Sequence, residues 1–414
     1  MVTSTPTSVP ASERNPVLDM VRGFALMGIL IMNMPAFSNS MFAEADGSHL
    51  WPGRADQIAE GLREMLFSGK FNSMFSMLFG IGFTLQFARM QRSDPEHATR
   101  IYLRRLLVLA VLGVLHAAVF WGGDVLHVYA ILGIVLLFGL RHASDRTLIA
   151  LMGLCLLYPV ISGLLRLFVM TPDLVAARVA IAKGFEAADN ATFGHGTFWQ
   201  AAALHARELA FFYSDPLAAW NFFGFYVLMA LTMLLGLLAG RRRWPDRIAE
   251  LMPQLRKVHV WALVVGLACG ATFTIIFELN RTPGPSPIKL LGGVAYWLSR
   301  LGMMIFYVLT IVRLAQHPAW ARRFAPIAAA GRMPLTNYLM QTAICTVLFY
   351  GWGFGLWGKV GPAAGLVLSL AIFFLIQVPW SIWWLSRHDR GPLEALWSRL
   401  TYGRPKPRLA DASA

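Results

Sequence analysis

Two histidines and an aspartate lie close together in an otherwise apolar stretch, RRLLVLAVLGVLHAAVFWGGDVLHVYAILG at 104–133. His116 precedes Trp121 by five residues, about 7.5 Å along a helix axis at ~1.5 Å per residue. Asp124 opens the next apolar run, where a carboxylate can cap a helix, and His127 stands one turn into that run. A helical hairpin turning at 121–122 sets positions 116 and 127 opposite each other. An imidazole held by a carboxylate is the arrangement of a general base: the carboxylate fixes the tautomer and stabilises the imidazolium. His116 is therefore the candidate base and Asp124 the group that orients it. The same three side chains also read as a metal set, or as a histidine bonded to a backbone carbonyl beside an aspartate that serves only as a cap. The catalytic pair His116 and Asp124, without a metal, is the reading carried forward.

Three further stretches place polar groups where apolar ones would be cheaper, and an ionisable side chain inside a membrane span marks a functional hypothesis by default. In RNPVLDMVRGFALMGILIMN at 14–33, Asp19 and Arg22 are three apart and share a helix face, with Asn33 about three turns deeper. They form either a structural ion pair with an asparagine for helix–helix bonding, or an anion or thioester-donor site on the cytoplasmic side. In FSGKFNSMFSMLFGIGF at 67–83, Lys70 and Asn72 stand at the outer end, positioned to line an outer cavity. Ser73, Ser76, Gly80 and Thr84 recur at a spacing that suits close helix packing. In the stretch at 328–358, Arg332 precedes Pro334, and Asn337 and Gln341 share one helix face. Arg332 suits a phosphate or lipid head group as well as the bias of positive charge toward the cytoplasm. Asp19, Arg22, Asn33, Lys70, Arg332, Asn337 and Gln341 are the candidate substrate- and donor-binding residues. His205 and Glu208 share a face of a loop helix, weak grounds for a metal.

These residues need elements to hold them. The chain has 414 residues, 57% hydrophobic and 14% charged, with a net charge of +14. A soluble domain carries roughly 25% charged residues, so a soluble enzyme is excluded, as is a disordered chain. Cys155, Cys269 and Cys345 are isolated within apolar runs and form no disulfide framework. The basic residues sit between apolar segments, so the charge reads as membrane topology, and nucleic acid is not an expected partner. A crossing helix needs about 20 apolar residues. Ten segments qualify: 17–37, 71–90, 103–121, 125–140, 147–170, 220–240, 258–278, 289–315, 334–354 and 362–386. With the N-terminus inside, the inner gaps and tails, counted with the adjoining span ends, hold 24 Lys and Arg against 9 in the outer gaps, which favours both termini on the cytoplasmic side. Arg166 near the outer end of the fifth span is expected to snorkel, and Arg300 in the eighth to pair with Asp19 or Glu278. The expected fold is all-α, a polytopic bundle. Residues 1–13 and 404–414 read as disordered tails, 14–170 as an N-terminal transmembrane half, 171–219 as an external amphipathic loop, and 220–403 as a C-terminal half ending in an amphipathic helix at 391–403. Amphipathic pieces at 56–67 and 201–213 suit the outer interface, with Trp51, Trp199 and Trp220 as anchors.

The four polar stretches, in this order, resemble the YeiB family of bacterial inner-membrane proteins. The matching residues are Leu18, Asp19, Arg22, Gly23, Phe24 and Asn33; Lys70, Phe71, Phe79 and Gly80; His116, Trp121, Gly123, Asp124 and Tyr129; Gly331, Arg332, Met333, Leu335 to Leu339 and Gln341; and Gly391, Pro392, Glu394, Trp397, Leu400 and Thr401. The resemblance covers nearly the whole chain, though His127 stands outside the pattern. The family's C-terminal half is a domain of unknown function. The family in turn looks distantly related to membrane-bound acyltransferases such as heparan-α-glucosaminide N-acetyltransferase and the bacterial polysaccharide O-acetyltransferases. Those share an opening Asp-x-x-Arg-Gly helix and use a buried histidine; the motifs around that histidine are not reproduced here.

The resemblance implies an inner-membrane protein that passes an acyl group from cytoplasmic acyl-CoA, as donor substrate, to a small-molecule or lipid-linked acceptor near the outer face, with no resident cofactor. A transporter or exporter that uses His116 to carry a proton is the rival from another class, and a non-catalytic scaffold is the third. A single cavity containing both His116 and Arg22 is the arrangement that favours transfer between the two faces.

Overall fold

A computed structural model describes residues 15–403, and these are helical with no strands. Helix α1 is Pro16–Ser38, α2 Arg54–Leu66, α3 Lys70–Ser93, α4 Ala98–Val119, α5 Leu126–Val135, α6 Asp145–Val169, α7 Pro172–His195 and α8 Phe198–Ser214. They are followed by α9 Pro216–Arg241, α10 Ile248–Leu279, α11 Pro287–Ala315, α12 Pro318–Gly331, α13 Pro334–Phe349, α14 Pro362–Ala371, α15 Val378–Leu385 and α16 Pro392–Tyr402. The expected tails at 1–13 and 404–414 lie outside the described residues. Local chemistry fixes many helix starts. Asn15, Ser144, Thr171, Thr197, Asp215 and Ser286 cap α1, α6, α7, α8, α9 and α11 through their side chains. Proline opens α9, α11, α12, α13, α14 and α16, where its missing N–H costs nothing.

Among the described residues, eight helical stretches are long and apolar enough to cross a membrane, with α2 and α3 counted as one. The chain is a polytopic membrane helix bundle. Two of the ten expected crossings fall short of that length: Leu126–Leu140, and α13 with 16 residues. Helix α13 is largely buried among its neighbours, whereas Leu126–Leu140 buries one face and exposes Ile131, Val135 and Phe138 on the other. A helix that meets protein rather than lipid can be short and carry polar groups, provided its backbone bonds close internally. The expected α2 and α16 are present. Two helices that the apolar pattern does not show are α7 and α12.

Where helices touch most closely, the contact is glycine. A side chain on Gly80 would fall 2.1 Å from the Met233 carbonyl oxygen, and one on Gly236 2.0 Å from that of Met77, so α3 and α9 meet backbone to backbone. Gly302 of α11 meets Ala262 and Gly266 of α10 in the same way, and Gly23 of α1 meets Ile327 of α12. Helices α1, α3 and α13 carry mostly buried residues, whereas α6 and α10 expose Leu154, Leu157, Phe168, Val260 and Trp261 at the periphery. In a bundle of membrane-crossing helices, exposed apolar surfaces of this kind are lipid-facing. Pro379 has no N–H to give the carbonyl of Leu375, and the chain makes a π-helical turn over Ile372–Gln377 between α14 and α15.

Candidate functional site

The site is built at the outer end of the α4–α5 hairpin. The helices approach so closely that a side chain on Gly113 would lie 2.3 Å from the backbone nitrogen of His127. The turn between them, 120–125, folds Asp124 inward, where its carboxylate is wholly buried. Its Oδ2 accepts the Leu126 N–H at 2.8 Å and, more loosely, that of His127 at 3.4 Å, so the expected cap is made. The same carboxylate takes two imidazoles. His116 Nδ1 lies 2.8 Å from Oδ1 and His127 Nδ1 3.0 Å from Oδ2. The Tyr338 hydroxyl donates to Oδ1 at 3.4 Å.

One carboxylate between two imidazoles decides which nitrogen carries each proton. A carboxylate only accepts, so both histidines present N–H at Nδ1, and a neutral ring then keeps its lone pair at Nε2. The lone pair of His116 accepts from the Thr342 hydroxyl at 3.0 Å, and that of His127 from the Tyr213 hydroxyl at 2.7 Å. Tyr213 lies 2.7 Å from Tyr226. A single chain of hydrogen bonds thus runs Thr342–His116–Asp124–His127–Tyr213–Tyr226. Both histidines are 4% exposed, while Tyr213, at 47%, brings one end of the chain to the surface.

A second buried cluster sits directly against the hairpin turn, where a side chain on Gly122 would fall 3.2 Å from Glu208 Oε2. Tyr350 donates to His205 Nε2 at 3.0 Å, His205 Nδ1 lies 3.3 Å from Glu208 Oε2, and Ser40 donates to Asp189 Oδ2 at 2.5 Å. The Asp189 and Glu208 carboxyls lie close enough to act on each other electrostatically. Burial, then the neighbouring Glu208 charge, push Asp189 up to about 8; burial pushes Glu208 up to about 7 and holds His205 down to about 3. At neutral pH the pair shares a proton and His205 is neutral. Residues of α7 and α8 make this cluster, and α7 is fastened to the loop after α13 by the Gly351 N–H to the Phe193 oxygen at 2.7 Å and by Trp357 to Asn190 at 2.9 Å. The two loop helices cover the outer end of the site. The His205–Glu208 pair expected on one face is present; its buried partners Asp189, Ser40 and Tyr350 were not expected.

At the inner end, Arg22 Nη1 donates to Asp19 at 2.5 Å and to the Gly331 oxygen at 3.3 Å, so the expected ion pair meets the Gly331-Arg332 turn. Between the two ends, α13 carries the polar groups. Asn337 donates to Ser381, Gln341 donates to Gln377 and to the Leu26 carbonyl, and Gln377 donates to the Asn337 carbonyl, all at 2.7–3.1 Å and all buried. At its foot, Glu394 of α16 accepts from the N–H groups of Leu335 and Thr336 and from the Thr336 hydroxyl.

One expectation is corrected. Arg300 pairs with neither Asp19 nor Glu278. It donates to the Tyr296 hydroxyl at 3.4 Å and lies over that ring at 5.0 Å, while Glu278 binds His49 and Arg281. Lys70 is wholly buried, its ammonium donating to the Glu64 carbonyl at 2.6 Å. Neither Lys70 nor Asn72 lines either of two cavities, of about 510 and 710 Å³, and Asn33, half-buried, joins neither lining. Neither cavity is lined by His116 or Arg22, so the expected joint cavity is not one of these two. His116 is enclosed by polar partners and by the rings of Phe120 and Tyr338. Thr342 and Tyr213, which complete the hydrogen-bond chain, are absent from the expected set; they lie 226 and 86 residues from their histidines.

Residues 239–404 match the family model described as "Protein of unknown function (DUF418)". The chain is 31% identical over 404 residues to the "Uncharacterized protein YxaH" of Bacillus subtilis (strain 168), covering 94% of this chain and 95% of that one. It is 27% identical to the "Uncharacterized protein YeiB" of Escherichia coli (strain K12), covering 97% and 100%. No solved structure matches. With a relative 31% identical from end to end, the chain belongs to the family of YxaH and YeiB, and its residues 239–404 carry the DUF418 match.

Proposed function

We propose that this protein is an acyltransferase of the bacterial inner membrane, with His116 as general base near the outer face. One observation carries the reading: His116 has a carboxylate, Asp124, on one ring nitrogen and a hydroxyl, Thr342, on the other. A hydroxyl, a base and an orienting group in line are the signature of nucleophile activation. Thr342 holds the place that an acceptor hydroxyl or amine takes. In the transfer, the acceptor gives its proton to Nε2 as it attacks the acyl carbon of a thioester such as acyl-CoA. The bond from that carbon to sulfur breaks, and the imidazolium returns the proton to the leaving thiolate. Asp124 stabilises the imidazolium meanwhile. Arg22 and Arg332 at the inner end suit the phosphate-bearing end of the donor. From its first residue to Thr342, α13 rises about 12 Å at ~1.5 Å per residue, which sets how far a donor arm must reach. The acceptor reaches Nε2 by displacing the cover formed by α7 and α8.

The test uses purified protein in detergent with radiolabelled acetyl-CoA and a set of hydroxyl and amine acceptors. Wild type is expected to hydrolyse or transfer the label, and His116→Gln to do so about 10²–10⁴-fold more slowly. Equal rates for the two proteins reject the base. A second reading, proton-coupled transport, is favoured by the hydrogen-bond chain that ends at exposed Tyr213. It is supported instead if proteoliposomes move a substrate at a rate that tracks an imposed proton gradient and Tyr213→Phe uncouples the two.

A further inference from the structure

The cavity of about 510 Å³ between α6, α9 and α11 contains three cations and no acid. Arg166, Lys289 and Arg300 line it, with Ser162, Tyr158 and Trp297, and no Asp or Glu contributes to the wall. Arg166 donates to Asn221 and Lys289 to the carbonyls of Thr282 and Gly284, which are neutral partners. Arg300 is 6% exposed; its Nε has no hydrogen-bond partner among the described residues and packs against Gly69, where a side chain would fall 1.9 Å from it. Behind the cavity, Glu64 acts on Arg300 only through space, with no direct ion pair. Lys70 faces the same Tyr296 ring at 5.8 Å, and the nearby carboxylate of Glu64 is taken by Arg63 at 2.5 Å. A buried guanidinium with an unmet donor is costly without an anion.

The cavity also has a direction. Lys289 stands at the outer rim, and Arg300 lies eleven residues along α11, about 16 Å deeper at ~1.5 Å per residue. The residues beside the lining, Leu165, Phe168, Phe223, Ile288 and Leu291, are exposed and apolar, so the cleft opens sideways among lipid-facing side chains. Tyr158 and Trp297 stack at 5.6 Å on its wall. A cationic pocket set between transmembrane helices and flanked by hydrocarbon suits a lipid phosphate.

We propose that this cleft binds an anionic lipid that enters from the outer leaflet, its phosphate held at the rim by Arg166 and Lys289, with Arg300 adding positive charge at the base. The site stands independently of the acyl-transfer reading, because none of its residues touches His116 or Asp124.

The experiment is native mass spectrometry of the full chain released from micelles containing phosphatidylglycerol, phosphatidylcholine or inorganic phosphate alone. Wild type is expected to retain one phosphatidylglycerol, and the Arg166→Gln/Lys289→Gln double variant to bind it at least tenfold more weakly. Arg146→Gln, an exposed inner-side change, should leave binding as in wild type. Both rim residues are half-exposed, so the variant folds where Arg300→Gln could fail; its thermal midpoint, within a few degrees of wild type, verifies this. Millimolar inorganic phosphate that leaves the lipid in place identifies the lipid as the source. Phosphate that displaces it, with affinity lost in the same double variant, supports the anion site with a soluble phosphate as occupant and rejects the lipid. Equal retention by wild type and the double variant, or equal binding of phosphatidylcholine, overturns the proposal.

Discussion

Replacing Asp124 with asparagine tests the polarity of the whole histidine chain. The carboxylate accepts His116 Nδ1 at 2.8 Å, His127 Nδ1 at 3.0 Å and the Leu126 N–H at 2.8 Å. Asparagine has the same shape but one acceptor and one donor. It can satisfy one imidazole as before, but it must present N–H to the other, whose tautomer then flips and whose Nε2 becomes a donor. If the flipped ring is His116, the lone pair facing Thr342 is gone and the residue is no longer a base. Hydrogen bonds to a charged group are worth about 1.5–3 kcal/mol and neutral ones about 1 kcal/mol, so the two imidazole bonds together lose about 1–4 kcal/mol. The assay is unfolding by sodium dodecyl sulfate in mixed micelles, run as double-mutant cycles of Asp124→Asn with His116→Gln and with His127→Gln. Each cycle is expected to show coupling of about 1–2 kcal/mol, and the two to agree closely because the distances differ by so little. A cycle with His205→Gln, whose ring bonds Glu208 and Tyr350, should be additive to about 0.5 kcal/mol. Nitrogen-15 spectra of labelled histidine provide the second readout. Additive cycles at both histidines, or Nε2–H tautomers at both in the wild type, would refute the assignment.

Other outcomes follow from the packing and the titrating groups. Gly236→Ala should separate α3 from α9 and cost about 1–3 kcal/mol, while Gly82→Ala, with nothing within 4 Å, should be neutral or stabilising; thermal midpoints in detergent separate the two, and similar losses at both would count against the contact. Asp189 and Glu208 keep protons in the folded protein that the unfolded chain releases near pH 4, so stability should fall as pH rises from about 4.5 to about 8. His205, held neutral, opposes this only between about pH 3 and 6.5. Asp189→Asn should flatten the upper part of the curve, and an unchanged slope in the variant contradicts the shared proton. Burial raises the Glu394 carboxyl, which nevertheless caps α13. Glu394→Gln should cost about 1–2 kcal/mol and free α16, so limited trypsinolysis at Arg387 and Arg390 should accelerate; cleavage at the wild-type rate would mean the cap does not hold α16.

The crossing segments were legible because a lipid-facing helix must be apolar over its whole length, and α6 and α10 announce themselves that way. Helix α7 was not, since DLVAARVAIAKGFEAADNATF has alanines and spaced charges in place of an apolar stripe, and its Thr171-Pro172 start is only a local signal. Helix α12 was hidden because Arg322 and Arg323 read as cytoplasmic charge. In the site, His116, Asp124 and His127 could be placed together because a hairpin links them within eleven residues. Thr342, Tyr213, Ser40 and Asp189 come from other helices and loops, and nothing local ties them to a particular histidine or acid. Thr342 is adjacent to Gln341, which did stand out, but a threonine in an apolar helix is ordinary until its neighbour is known. The partner of Arg300 was misjudged for a related reason. Charge complementarity suggested an acid, whereas the helix places Tyr296 one turn away on the same face.

The polar face of α13 also bears on how the chain enters the bilayer. Asn337 and Gln341 find Ser381 and Gln377 only on the segment made after them, beginning at Pro362. When α13 leaves the ribosome, those amides have no side-chain partners, and hydrocarbon offers none. A 16-residue segment carrying Thr336, Asn337, Gln341, Thr342 and Thr346 gains little by partitioning alone. Its insertion is therefore tied to that of α14–α15: the two lodge as a pair, and truncation between Tyr350 and Pro362 strands α13 at the membrane surface.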